Sequence, residues 1–205
     1  VQYLLACIRL IVCKEPVVFP VLTVAEWKEL YTVSCRQDLS HIVGLAIELD
    51  ETKTSRETLA PELEKKFELQ KNMAIYRYTN QEFAISEIGE AFEKNEILYL
   101  PLKGSVLRYA YPEAWMRTSS DIDILVHNED FDKVSKIMSA LGFEMKSHDK
   151  KDASFMKNGA HIEIHFYLIK DKSIAFLQPN FLWETAERIG CRCVLGDDIF
   201  YAYHV

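Results

Sequence analysis

The chain has 205 residues, of which 49% are hydrophobic, 7 are glycine and 6 are proline. This composition is typical of a folded globular protein and excludes collagen-like and largely disordered classes. The formal net charge of −7 repels a phosphate backbone and no uninterrupted basic stretch offsets it, so nucleic acid is an unlikely partner.

Neither the cysteines nor the apolar opening segment indicates a metal cage or a membrane anchor. The five cysteines lack paired C-x-x-C spacings, and the close pair Cys191 and Cys193 is typical of two small apolar side chains on a strand. Such unpaired thiols predict a cytoplasmic protein. The segment Val1–Cys13 is interrupted by Arg9 and is too short to cross a bilayer, so it predicts a buried helix and no membrane partner.

Residues 1–95 are predicted to form a mostly helical N-terminal lobe. After the opening helix, further helices are expected near Val24–Val33 and Asp38–Leu49. Apolar residues then recur at helical spacing from Ser55 to Asn95, which fits one long helix or two in succession. No catalytic motif stands out in this lobe.

Residues 96–205 are predicted to form a second region of mixed strands and helices. Its predicted elements are a strand at 97–102, a turn and short helix from 103 to about 111, a strand at 121–126, a helix at 131–141 and strands at 143–146, 154–156 and 161–168. The fold class is α+β, with a helical lobe followed by a small mixed sheet and flanking helices. Residues 198–205 have a helical pattern without a C-cap, so the region is expected to continue beyond Val205.

The strand at 121–126 carries two acidic residues at alternate positions. A period of two places Asp121 and Asp123 on one face and Ile122 and Ile124 on the other. Neighbouring like charges repel unless cations neutralise them, and oxygen ligands favour Mg²⁺ or Mn²⁺. A lone D-x-D pair often faces solvent, so its surroundings decide the interpretation.

Two neighbouring motifs strengthen the metal hypothesis. Gly104 and Ser105 lie where a strand turns into a helix, and amides at a helix start can hold phosphate. Further along the chain, a predicted strand offers Glu163 as a third carboxylate, flanked by His161 and His165.

Together these residues resemble the uncharacterised nucleotidyltransferase family of the polymerase-β-like superfamily. The resemblance covers residues 96–168 and is carried by the strings Leu102-Lys103-Gly104-Ser105, Arg117, Asp121-Ile122-Asp123-Ile124-Leu125-Val126, Leu141-Gly142-Phe143 and Ile162-Glu163-Ile164-His165. It implies transfer of a nucleoside monophosphate, AMP in first place, from a nucleoside triphosphate to a hydroxyl of a small molecule, peptide or protein. Pyrophosphate is the other product, and Mg²⁺ or Mn²⁺ is the cofactor.

The resemblance also implies a role for each site residue. Asp121, Asp123 and Glu163 are the catalytic and metal-binding acids, and Glu163 also helps to deprotonate the acceptor. The residues assigned to the nucleotide phosphates are Lys103, Gly104, Ser105 and Arg117.

Several alternatives remain open from the sequence. Arg117 can equally form an ion pair that positions an acid, and an exposed role is the better interpretation for Lys103. His165 is interpreted as a hydrogen-bonded or substrate-contacting residue, whereas His161, His127 and His148 are expected to have no function. The alternative functions are a catalytically inactive nucleotide-binding module and an enzyme that modifies tRNA or another nucleic acid.

Overall fold

The computed structural model describes residues 2–50 and 56–166. The described chain divides into two compact units. The first unit contains the residues up to Tyr78 together with Ala110–Thr118, and the second contains Thr79–Tyr109 together with the residues from Ser119 onward. The predicted helical pattern at 198–205 and the pair Cys191 and Cys193 lie outside the described residues. The predicted division into two regions at residue 95 stays a prediction.

The described helices and strands confirm the α+β class. The helices are α1 (Gln2–Ile11), α2 (Val24–Arg36), α3 (Ser40–Leu49), α4 (Pro61–Lys94), α5 (Gly104–Leu107) and α6 (Phe131–Ala140). The strands are β1 (Tyr99–Pro101), β2 (Ile122–Val126), β3 (Glu144–His148), β4 (Asp152–Lys157) and β5 (Ala160–His165). The apolar spacing from Ser55 to Asn95 was compatible with one long helix or with two, and the structure shows one long helix there, α4.

The first unit packs its helices around buried aromatic side chains. Trp27 and Phe67 are both fully buried, with ring centroids 6.3 Å apart in an edge-to-face arrangement. At the start of α2 the Thr23 side chain accepts from the Glu26 amide while the Glu26 carboxylate accepts from the Thr23 amide, a capping box that fixes where the helix begins. Aromatic packing and a defined cap hold this helical unit together.

Within residues 56–166, the second unit is built on a five-stranded sheet with the order β1-β2-β5-β4-β3. β2 and β5 are parallel, and the other neighbouring pairs are antiparallel. Alternate residues from β2 and β5, including Ile122, Ile124, Ile162 and Ile164, join a buried apolar cluster. The opposite face of the same two strands carries the polar side chains of Asp123, His161, Glu163 and His165 together with the buried Leu125.

Two glycines close turns of the second unit in the left-handed region. Gly142 follows α6 with φ +85°, and Gly159 lies between β4 and β5 with φ +82°. Residues with a Cβ rarely adopt these angles, which explains why glycine marks the end of the helix and the hairpin turn.

Candidate active site

The candidate site lies on the polar face of β2 and β5. In the parallel register Asp123 is opposite Glu163, so their side chains leave the sheet on the same face. His161 and His165 lie two positions either side of Glu163, and Asp121 lies two positions before Asp123. The pairing therefore brings residues about forty positions apart into one group.

Asp123 is the buried carboxylate of this group, with 3% of its surface exposed. Lys103 Nζ donates to Asp123 Oδ1 at 2.7 Å, and His165 Nε2 donates to the same oxygen at 2.6 Å. Burial favours the neutral acid, but the hydrogen bonds from His165 and Lys103 outweigh it and hold the pKa of Asp123 below its usual value. Asp123 is therefore an anion at neutral pH.

Lys103 is exposed along its side chain, yet its ammonium group is fixed on the buried acid. The hydrogen bond to Asp123 is the largest influence on Lys103 and raises the pKa of its ammonium group, with the charges of Asp121 and Glu163 adding to the effect. The sequence favoured an exposed role, and the structure adds this contact, which no local pattern indicated. Lys103 therefore places a positive charge where anionic groups converge.

Glu163 connects the two sides of the group. Its Oε2 lies 3.6 Å from His165 Nε2, and its Oε1 lies 3.9 Å from His161 Nε2. His161 also shares a hydrogen bond of 2.8 Å with the Ser154 hydroxyl. His161 was expected to have no function, but it lies beside a candidate metal ligand.

The side chains are close enough to share metal ions. One set, Asp121, His161 and Glu163, and a second set, Asp123, Glu163 and His165, each place one ligand atom per residue within 4.8 Å of the others. Glu163 belongs to both sets. Carboxylate oxygens suit Mg²⁺ and Mn²⁺, and the imidazole in each set extends the range toward softer ions. The donor chemistry thus fits the divalent ions that the sequence indicated.

The predicted phosphate turn comes directly after β1. Lys103 precedes α5 with φ +48° and ψ −119°, a region that side chains rarely adopt. Ser105 is buried, and its hydroxyl donates to the Leu102 carbonyl at 2.6 Å. The Ser105 hydroxyl therefore stabilises the turn, so a phosphate contact from Ser105 would come from its backbone amide.

Arg117 is not placed with the acids by any described contact. It belongs to the first unit, where its guanidinium donates to the neighbouring Thr118 carbonyl. The proposed phosphate contact of Arg117 remains a prediction.

His148 stacks on Phe131 with ring centroids 4.1 Å apart, which agrees with a packing role.

Sequence reasoning missed two further polar residues of the second unit. Arg108 is fully buried and Gln81 is nearly so, although both types are usually exposed. The sequence feature that could have indicated Arg108 was a charged residue four positions after Gly104 in an otherwise apolar helix start.

Among residues 2–50 and 56–166, no helix combines the length and hydrophobicity needed to cross a membrane.

Comparison with known proteins adds one family match and one distant structural similarity. The model of the family described as "Uncharacterised nucleotidyltransferase" matches residues 23–203. No curated protein matches the chain significantly. The solution structure of the antibiotic-resistance factor ANT(2'')-Ia is similar over 43% of this chain, with 16% identity and a TM-score of 0.39, and the similar region spans 48% of that protein.

Proposed function

Because the chain belongs to the uncharacterised nucleotidyltransferase family, we propose that it transfers a nucleoside monophosphate from a nucleoside triphosphate to an acceptor hydroxyl. ATP is the proposed donor, so AMP is the group transferred. The acceptor is a small molecule, a peptide or a protein. The observation that carries the proposal is the convergence of Asp121, Asp123 and Glu163, with Glu163 common to both sets of ligand atoms.

The three carboxylates are proposed to bind divalent cations, Mg²⁺ or Mn²⁺. In this proposal the cations are bound by Asp121, the residue before β2, by Asp123 on β2 and by Glu163 on β5. When bound, such cations neutralise charge on the phosphate oxygens of the donor. Lys103, whose exposed ammonium now contacts Asp123, would exchange that contact for one with phosphate.

The remaining residues bind and orient the substrates. The first amides of α5, at Gly104 and Ser105, are proposed to donate to the β- and γ-phosphates, with Arg117 as a further phosphate ligand. His165, already fixed on Asp123, is proposed to contact the substrate at the same edge of the acidic group. Binding by amides and by fixed charges limits motion of the donor before reaction.

In the reaction, the acceptor oxygen attacks the α-phosphorus of the triphosphate. A new phosphorus–oxygen bond forms as the bond to the bridging oxygen of the β-phosphate breaks, and pyrophosphate leaves with that electron pair. The Glu163 carboxylate takes the proton of the acceptor hydroxyl. Its half-buried position beside His161 and His165 leaves it accessible to a substrate.

A nucleic-acid acceptor is disfavoured by charge. A net charge of −7 repels polyphosphate chains, and binding through phosphate contacts depends steeply on salt, at roughly one unit of log–log slope per contact. We expect no retardation of RNA or DNA at physiological salt in a gel-shift assay. Tight and strongly salt-dependent binding of tRNA would instead favour the nucleic-acid-modifying alternative.

The proposed compartment is the cytoplasm, which keeps thiols such as Cys7 reduced.

The proposal is tested by pyrophosphate release and by nucleotide binding with the same protein. Each nucleoside triphosphate is supplied with Mg²⁺ and candidate acceptors, and release is compared between the wild-type protein, Asp123→Asn and Asp132→Asn. The first substitution removes a buried charge of the site and should lower turnover by on the order of a hundredfold to a thousandfold. The second changes an exposed acid on α6 and should change little.

Two results would contradict the proposal. Equal activity of Asp123→Asn and the wild-type protein would remove Asp123 from the site. Binding of MgATP without release of pyrophosphate in the presence of any acceptor would support the inactive binding module instead.

A further inference from the structure

Arg108 is a buried charge in the second unit that lies outside the set of metal-binding acids. None of its surface is exposed. Its Nε donates to the Gly104 carbonyl at 3.2 Å, Nη1 donates to Glu82 at 3.0 Å and Nη2 donates to Gln81 Oε1 at 2.8 Å. Burying a guanidinium costs free energy that an apolar side chain of similar size would avoid. Packing alone therefore does not account for arginine at this position.

One end of the Arg108 network reaches the residue before β2. Gln81 is buried on α4, and its Nε2 donates to the Ser119 carbonyl at 3.0 Å. The Ser119 hydroxyl in turn lies 2.7 Å from the Asp121 carbonyl oxygen and 3.2 Å from Asp121 Oδ1. Two hydrogen bonds thus join Arg108 to the Ser119 backbone through Gln81, and the hydroxyl of the same Ser119 contacts Asp121, more closely at its carbonyl oxygen than at its carboxylate.

The other end reaches the turn after β1. The Gly104 carbonyl that accepts from Arg108 belongs to the first residue of α5, directly after the strained backbone of Lys103. α5 has only four residues, too few to hold its own position by helical hydrogen bonds. Arg108 therefore fixes a segment that is weak by itself.

We propose that Arg108 and Gln81 are positioning residues that hold the Gly104 turn and the Asp121 carboxylate in one fixed arrangement. The inference rests on the proposed function, in which these two segments bind phosphate and cation. Arg108 and Gln81 act through Gly104 and Ser119 and touch no substrate. Residues that orient metal ligands typically change metal affinity by about tenfold to a hundredfold when they are removed.

The test measures Mn²⁺ binding without nucleotide, from the electron paramagnetic resonance signal of free Mn²⁺. Ser119→Ala removes only the hydroxyl beside Asp121, and Gln81→Leu removes the link between Ser119 and Arg108. Each should weaken Mn²⁺ binding by about tenfold, and Ser119→Thr, which keeps the hydroxyl, should restore it. Ser34→Ala is the matched control, because it deletes a buried hydroxyl of the first unit that donates to the Tyr31 carbonyl.

A second measurement separates the two ends of the network. Inorganic tripolyphosphate binding is measured by calorimetry without metal, for Ser119→Ala and for Arg108→Lys. Arg108→Lys loses the fork that holds both Gly104 and Gln81 and should weaken binding of tripolyphosphate as well as Mn²⁺. Ser119→Ala should weaken binding of Mn²⁺ alone.

The outcomes distinguish this inference from the proposed function. Mn²⁺ affinity within about twofold of wild type in Ser119→Ala and in whichever Gln81 or Arg108 variant folds would overturn the inference and leave the proposed function intact. Failure of Ser119→Thr to restore binding would also overturn it. A wild-type protein that binds no Mn²⁺ would overturn both.

Discussion

The two units bury different kinds of polar groups. Among the described residues, the buried polar ones of the first unit are Ser34, Ser40, His41 and Asp50, and those of the second are Gln81, Ser105, Arg108 and Asp123. His41 donates from Nε2 to the Met116 carbonyl at 2.9 Å, and Ser34 donates to a carbonyl three residues earlier. Both units bury a carboxylate, Asp50 in the first and Asp123 in the second, but of the two only the second also buries a guanidinium among the described residues, that of Arg108.

Apart from Asp50, the buried polar residues named for the first unit are neutral, and we infer that this difference separates groups that serve folding from groups that serve a site. A neutral group hydrogen-bonded to backbone costs little to bury, whereas a buried ion is seldom the most stable choice. The first unit should therefore respond to substitution mainly through its stability. The second should respond through binding and turnover at its polar residues.

The largest expected effect is on stability, at the aromatic core of the first unit. Phe67 and Phe83 both lie on α4, but Phe67 is fully buried while 69% of Phe83 is exposed. Phe67→Ala should lower the free energy of unfolding by about 3–5 kcal/mol because it leaves a cavity. Phe83→Ala, the matched control, should change it by less than about 0.5 kcal/mol. Urea denaturation followed by circular dichroism measures both, and equal losses would contradict the assigned burial.

The next effect should fall on turnover and leave stability nearly unchanged. Glu163→Gln keeps the shape of the side chain but removes the base, so turnover should fall by on the order of a hundredfold, about 2.7 kcal/mol, while nucleotide still binds through Asp121 and Asp123. Glu144→Gln on the exposed strand β3 is the control. Steady-state kinetics and calorimetric nucleotide titration provide the test. Unchanged turnover would exclude Glu163 as the base.

A smaller difference is expected between two helical glycines. A Cβ at Gly44 would lie 2.6 Å from the backbone oxygen of Phe67, whereas a Cβ at Gly89 would meet the side-chain hydroxyl of Tyr99 at 2.6 Å. A backbone atom yields less readily than the end of a side chain, so Gly44→Ala should cost about 1–3 kcal/mol. Gly89→Ala should cost less, since the gain in helix propensity offsets part of the clash. Thermal unfolding of the two variants ranks them, and the reverse order would contradict the close helix contact in the first unit.

The smallest expected effect is a pH dependence of the stability of the first unit. Burial lowers the pKa of His41 below its usual value of 6.5, and the hydrogen bond to Met116 offsets only part of this effect. Well above pH 6.5 the imidazole is neutral in both the folded and unfolded states and contributes no pH dependence to stability. As the pH falls below that value, the unfolded chain binds a proton first, and stability decreases until the folded imidazole also titrates.

His41→Gln isolates this contribution. Glutamine does not titrate and keeps a donor for the Met116 carbonyl, so the variant should lose part of the stability decrease that the wild-type protein shows on acidification. Urea midpoints measured from pH 7.5 downward in both proteins give the difference. Identical pH profiles would show that His41 is not buried as a neutral group.

Local sequence patterns predicted the elements well because they depend on neighbouring residues. Alternation identified β2, spacing at three and four residues identified α6, and the glycines at 142 and 159 marked the ends that the backbone angles then explained. Helical spacing also predicted the segment from 55 to 95 but left its continuity open. Whether this segment forms one helix or two depends on packing along α4, which a periodic pattern does not report.

The sequence by itself also identified the acids to which the proposal assigns the chemistry, because Asp121, Asp123 and Glu163 stand out by residue type and alternation. Only the tertiary structure decided which groups meet them. The parallel pairing of β2 with β5 sets Asp123 opposite Glu163, and folding of the turn after β1 puts Lys103 on Asp123. The burial of Arg108 beside Gln81 was likewise beyond local inference. These contacts join residues 20 to 40 positions apart, and their register depends on long-range pairing and packing, which short-range periodicity does not encode.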